Sequence, residues 1–126
     1  MNVYNAAIDF ISWNFEAVSL KDDFVTFDLN VLNSFLRSSN LVIKDEYTLF
    51  GRVCAWLAFH EQHMVLDEFA ILVPRVVNNI RFTMMTQRQL ANLLVNPLVV
   101  KFKDIFVERM SNAMSFHVGH IGATKR

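Results

Sequence analysis

Apolar residues recur along this chain at three- and four-residue steps, the spacing that gathers them on one face of a helix. Val3, Ala6, Ala7, Phe10, Ile11 and Val18 predict a first amphipathic helix over Val3 to Val18, with Asn2 placed to cap it. Ser19 to Phe27, with Lys21, Asp22 and Asp23 as its polar part, reads as a loop. Asp28 is the expected cap of a short helix that carries Leu29, Leu32, Phe35 and Leu36 on one side, and Arg37, Ser38, Ser39 and Asn40 end it. After a short apolar link, Leu41 to Ile43, Asp45 caps the best-defined helix, Glu46 to about His63, with the stripe Leu49, Phe50, Val53, Trp56 and Leu57.

Leu66 to Val73 predicts a shorter helix that stops near Pro74, because a proline ring disfavours helical geometry in the residue before it. Val76 to Arg81 adds another turn or two. Thr86 followed by Gln89 is a capping box that opens a helix running through Leu94. Asn96 with Pro97 opens the last helix, expected to run to about Phe116 and to bury Val100, Ile105, Phe106 and Met110. Gly119 to Arg126 reads as a fraying tail or linker. The expected fold is all-α, six or seven short helices packed as antiparallel pairs, with residues 1–118 forming one domain.

Composition sharpens this picture. Three Gly and two Pro in 126 residues supply few of the turns an all-β domain requires. Apolar residues make up 53% of the chain and include twelve Phe and six Met, more than a core of this size holds, so an apolar patch is expected at the surface. Tyr4, Trp13, Phe24 and Phe102, apolar residues off the helical stripes, are the candidates for that partner surface. Twelve basic and twelve acidic residues cancel, which argues against non-specific binding to nucleic acid or to an anionic membrane. The longest apolar run, Val53 to Phe59, is far shorter than the roughly 20 residues of a spanning helix. A single cysteine, Cys54, excludes an internal disulfide framework.

Candidate chemistry is sparse. His60-Glu61-Gln62-His63 resembles a zinc-protease signature, but its histidines stand three apart, where that motif needs four to share a helical face with the glutamate as base. His117 and His120 repeat the three-residue spacing, so a metal-dependent enzyme would need His60, His63, His117 and His120 to converge. The alternative, helix-terminal histidines whose charge complements the dipole, is favoured. Cys54 has only Arg52 nearby to lower its pKa and reads as a small hydrophobe. The acidic pairs Asp22-Asp23, Asp45-Glu46 and Asp67-Glu68 fit a loop or helix N-termini, where negative charge is stabilised. No catalytic, cofactor or metal residue is assigned.

Three segments, in order, carry a family pattern. Ala7 to Val18 includes Trp13-Asn14-Phe15-Glu16. A second stretch runs from Leu36 through Ser39, Leu41, Val42, Glu46, Leu49 and Phe50 to Trp56-Leu57. The third is Ile80-Arg81-Phe82-Thr83-Met84-Met85 followed by Leu90. Together they resemble the BACK domain, the helical module that follows a BTB domain in scaffold and adaptor proteins. The Trp13 to Glu16 wording, the Met84-Met85 pair and Ser115-Phe116-His117 are similar to the branch that includes a secreted galectin-binding scavenger-receptor glycoprotein.

The resemblance implies a non-catalytic interaction module without a cofactor. Its implied partners are proteins, an adjacent BTB domain first among them, and the full-length protein would be a homo-oligomer. The family's first helix is expected to be missing here, so cullin recruitment is implied only together with the BTB domain. Two settings follow: a cytoplasmic substrate adaptor of a cullin-based ubiquitin ligase, or a secreted oligomeric glycoprotein in cell adhesion or lectin binding.

Overall fold

The computed structural model describes the backbone of residues 3–124 and the side chains of residues 3–116. The chain is all-α, with eight α-helices, six of them of seven residues or more, and no strand among the described residues. It forms two compact units, Met1–Ile80 and Arg81–Arg126. The Asn2 cap lies outside the described residues.

In the first unit the predicted opening helix is divided at Asn14 into α1 (Val3–Trp13) and α2 (Phe15–Val18). Asn14 leaves helical geometry at φ −109° and ψ 21°, and its Nδ2 donates to the Phe10 carbonyl at 2.8 Å, satisfying an acceptor at the end of α1. The break turns Phe15 fully into the core, where its ring meets Phe24 edge-on at 5.6 Å and Phe35 at 5.9 Å. The expected loop tightens into a 3-10 helix, Asp22–Thr26, that places Phe24 inside. Then come α3 (Leu29–Arg37), α4 (Glu46–Glu61) and α5 (Leu66–Val77).

The predicted caps form as expected. Asp28 accepts from the Val31 amide at 2.9 Å and Asp45 from the Thr48 amide at 2.7 Å. The whole α4 stripe, Leu49, Phe50, Val53, Trp56 and Leu57, is buried. Two side chains one turn apart on α4 also clasp the 3-10 segment: Trp56 Nε1 donates to the Phe27 carbonyl at 2.9 Å, and His60 Nε2 bonds the Val25 carbonyl at 3.0 Å.

Pro74 does not end α5, which continues to Val77. An interior proline costs a helical hydrogen bond and about 3 kcal/mol. Phe69, Leu72, Val73, Val76 and Val77 are all buried on one face, however. Burying the last two valines contributes about 1.5–3 kcal/mol each, enough to offset that cost.

The second unit comprises a 3-10 turn (Phe82–Met84), α6 (Gln87–Leu93), α7 (Pro97–Lys101) and α8 (Lys103–Thr124). Thr86 and Gln89 make the reciprocal capping box, at 3.1 and 3.0 Å. Asn96 accepts from the amides of Leu98 and Val99, with Pro97 in the first turn. The expected single last helix is instead broken at Phe102, whose φ of −117° and ψ of 41° are not helical. That break rotates Val100 to 58% exposure, while Phe106 and Met110 remain buried as expected. Phe82 packs edge-on against Phe106 at 6.2 Å between centroids. The last helix runs on to Thr124 rather than ending near Phe116.

Candidate protein-protein interface

The apolar face of α1 points outward. Val3, Phe10 and Trp13 are 84%, 71% and 64% exposed, and Ala6 between them is exposed as well. Their spacing of three, four and three residues makes a continuous helical stripe along α1. Val3, Ala6, Ala7 and Phe10, whose spacing predicts this helix, are all exposed, and Ser12 is the buried residue of α1. The helix is nevertheless held at fixed points. Tyr4 Oη and Ser34 Oγ lie 3.2 Å apart, Asn40 Nδ2 donates to Asp9 at 3.2 Å, and the Val42 amide donates to the Ser12 carbonyl at 2.9 Å. The stripe is therefore an exposed apolar surface on a helix held by these bonds.

Of the four partner-surface candidates, Tyr4 and Trp13 stand on this helix and are exposed. Phe24 is a core residue at 1% exposure, packed against Phe15 and, at 5.7 Å, Phe27; the 3-10 turn that buries it was read as a loop. Phe102 is half-buried at the α7–α8 break, with the Lys101 ammonium 5.9 Å from its ring centroid. Phe10 is not among these candidates, because they are read from residues off the helical stripes and Phe10 lies on one.

A second apolar surface belongs to the Arg81–Arg126 unit. Leu94, Val100, Phe106, Val107, Met110 and Met114 line most of a groove of about 550 Å³. Among the described residues, Phe10, Met84 and Phe116 are the large exposed Phe and Met side chains.

The histidines do not form a shared site among the described residues. His60 stacks on Trp56 at 3.8 Å between centroids and is tied to Val25. Burial, with a smaller contribution from neighbouring His63, holds its pKa below the usual 6.5. His63 stacks on Phe59 at 4.5 Å and its Nδ1 bonds the Phe59 carbonyl at 2.8 Å. His117 and His120 lie outside the described side chains, and no group of three metal-ligating residues occurs among the described ones. Cys54 is half-buried on α4. Among the described residues no helix is long and apolar enough to cross a membrane.

The chain is 24% identical over 118 residues to BTB/POZ domain-containing protein 17 of Xenopus tropicalis, covering 93% of this chain and 24% of that protein. It is 28% identical over 111 residues to Galectin-3-binding protein of Pongo abelii and 25% over 115 residues to that of Mus musculus, in each case 87% of this chain and 18% of the relative. The chain thus spans a quarter or less of the length of these curated relatives. No solved structure matches it. The BACK model, "BTB And C-terminal Kelch", matches residues 1–95 and so runs through α1 to α6. With three quarters of its length in that match, the chain belongs to the BACK family, a non-catalytic family whose members typically follow a BTB domain.

Proposed function

We propose that this chain couples a BTB domain to other parts of a larger protein, and that the outward stripe of α1 is the coupling surface. The exposed run Val3, Ala6, Phe10 and Trp13, with Tyr4 at its side, is the observation that carries this reading. A surface of this kind gains about 1.5–3 kcal/mol for each large side chain it buries, so Phe10 and Trp13 are the anchors. Phe102, half-buried in the Arg81–Arg126 unit, is proposed separately as a contact of that unit. In this role the protein acts through its oligomeric parent as a scaffold, and the finer version is a substrate adaptor of a cullin-based ubiquitin ligase, with cullin engaged only when the BTB domain is present.

The test is co-purification of the chain with a BTB domain supplied in trans. Phe10→Glu with Trp13→Glu is expected to abolish it while leaving the helical circular dichroism signal and its melting unchanged. Retained binding by that variant overturns the assignment of the surface.

A second reading follows from the similarity to Galectin-3-binding protein, whose name states what that relative binds. On it, the chain is the helical part of a secreted oligomeric glycoprotein in cell adhesion or lectin binding. Capture of the full-length parent by cullin favours the first reading, and capture by galectin-3 the second.

A further inference from the structure

A polar cleft of about 480 Å³ opens between α3 and α5, lined by Leu29, Asn30, Asn33, Ser34, Arg37, Arg75, Asn78 and Asn79. Asn30, Asn33, Ser34 and Arg37 stand three, four and seven residues along one face of α3, and Arg75, Asn78 and Asn79 repeat that spacing at the end of α5. Two guanidiniums and four amides therefore face one space, and no carboxylate lines it.

Two of the four amide oxygens of the cleft are paired inside it. Asn33 is only 8% exposed, and its Oδ1 accepts from Asn79 Nδ2 at 2.9 Å. Asn79 Oδ1 in turn accepts from Arg37 Nε at 3.3 Å. Asn33 Nδ2, the Arg37 Nη groups and the Arg75 guanidinium make no bond to another described side chain, and all of them are donors. The nearby carboxylates are occupied elsewhere. Asp9, which lines a neighbouring cleft that shares Ser34 and Arg37, accepts from Asn40, and Asp28 caps α3. A site with two guanidiniums, further amide donors and no lining carboxylate is complementary to an acceptor-only group.

We propose that the cleft between α3 and α5 binds a carboxylate side chain from an acidic segment of a partner protein, held between Arg37 and Arg75 over the Asn33–Asn79 amide pair. Planar guanidiniums receive a carboxylate through paired hydrogen bonds. Arg75, Asn78 and Asn79 lie at the C-terminal end of α5 and Arg37 in the last turn of α3, where helix dipoles are negative, so the guanidiniums and not a helix end supply the charge that holds the anion. This site is separate from the α1 stripe and is independent of which domain docks there.

The 126-residue chain, isotope-labelled for amide spectra, is titrated with a capped peptide containing two adjacent glutamates, with its glutamine counterpart and with its phosphoserine counterpart. The glutamate peptide is expected to shift the side-chain amides of Asn33 and Asn79 saturably, and the glutamine peptide to leave them in place. R37Q with R75Q is expected to weaken binding at least about tenfold, and R88Q on α6 to leave it unchanged. Melting curves establish that each variant is folded. Equal response to the glutamine peptide, binding by the phosphoserine peptide alone, or undiminished binding by the folded double variant overturns the proposal.

Discussion

Replacing Trp56 with phenylalanine tests whether α4 holds the 3-10 segment by a specific bond or by apolar bulk alone. The indole is 1% exposed, its Nε1 donates to the Phe27 carbonyl at 2.9 Å, and its ring carries His60 at 3.8 Å. Phenylalanine keeps an aromatic six-ring but removes the donor, and with it the 2.9 Å bond to the Phe27 carbonyl, at a cost of about 1 kcal/mol in this part-buried setting. The smaller ring also leaves a void that neighbours fill incompletely, a further 1–2 kcal/mol or about that. The expected loss is about 2–3 kcal/mol of unfolding free energy, read from urea titration followed by far-ultraviolet circular dichroism. Amide exchange in Asp22–Thr26 should accelerate by more than that of α5, because the segment loses one of its two anchors on α4. Trp13→Phe, at a 64%-exposed position, is the control and should stay within about 0.5 kcal/mol of the parent. A loss below about 1 kcal/mol for Trp56→Phe, or an equal loss in the control, would refute the reasoning.

Two further predictions follow from α4. Gly51 lies within that helix, exposed, with nothing within 4 Å of an added Cβ. Gly51→Ala should therefore raise stability by about 0.5–1 kcal/mol in the same urea titration, and a destabilised variant would show that the position needs glycine for another reason. His60 favours its neutral form in the folded state, with burial as the main cause, so its contribution is complete above the ordinary value of 6.5 and is lost as pH falls through the lowered folded value. Urea midpoints of the parent should fall between neutral pH and about pH 5 by more than those of His60→Gln, which keeps a donor for the Val25 carbonyl; parallel curves would remove His60 from the pH response.

Much of the fold is written in local chemistry. The caps Asp28, Asp45, Thr86 with Gln89, and Asn96 were legible because a cap depends on a side chain and an amide two or three residues away. The α4 stripe was legible for a related reason: its five apolar residues are enclosed, so periodicity and burial coincide. The three family segments likewise sat in continuous stretches of sequence, and the BACK match covers all of them.

Decisions that compare distant parts of the chain were hidden. Periodicity identifies the face of α1 that wants a partner, but it does not say whether this chain supplies one, and the folded unit leaves Phe10 outside while taking Phe15 in across the Asn14 break. Phe24 looked like a loop residue until the packing of Phe15, Phe27 and Phe35 closed around its 3-10 turn. Pro74 carries a local penalty that only the buried faces of Val76 and Val77 outweigh. The cleft of Arg37, Arg75 and the Asn33–Asn79 pair joins residues more than forty positions apart. Sequence alone determined that this is a helical BACK module with more apolar surface than its core consumes. The tertiary structure decided where that surface emerges, because burial is a property of the whole packed unit whereas helical periodicity is a property of a few turns.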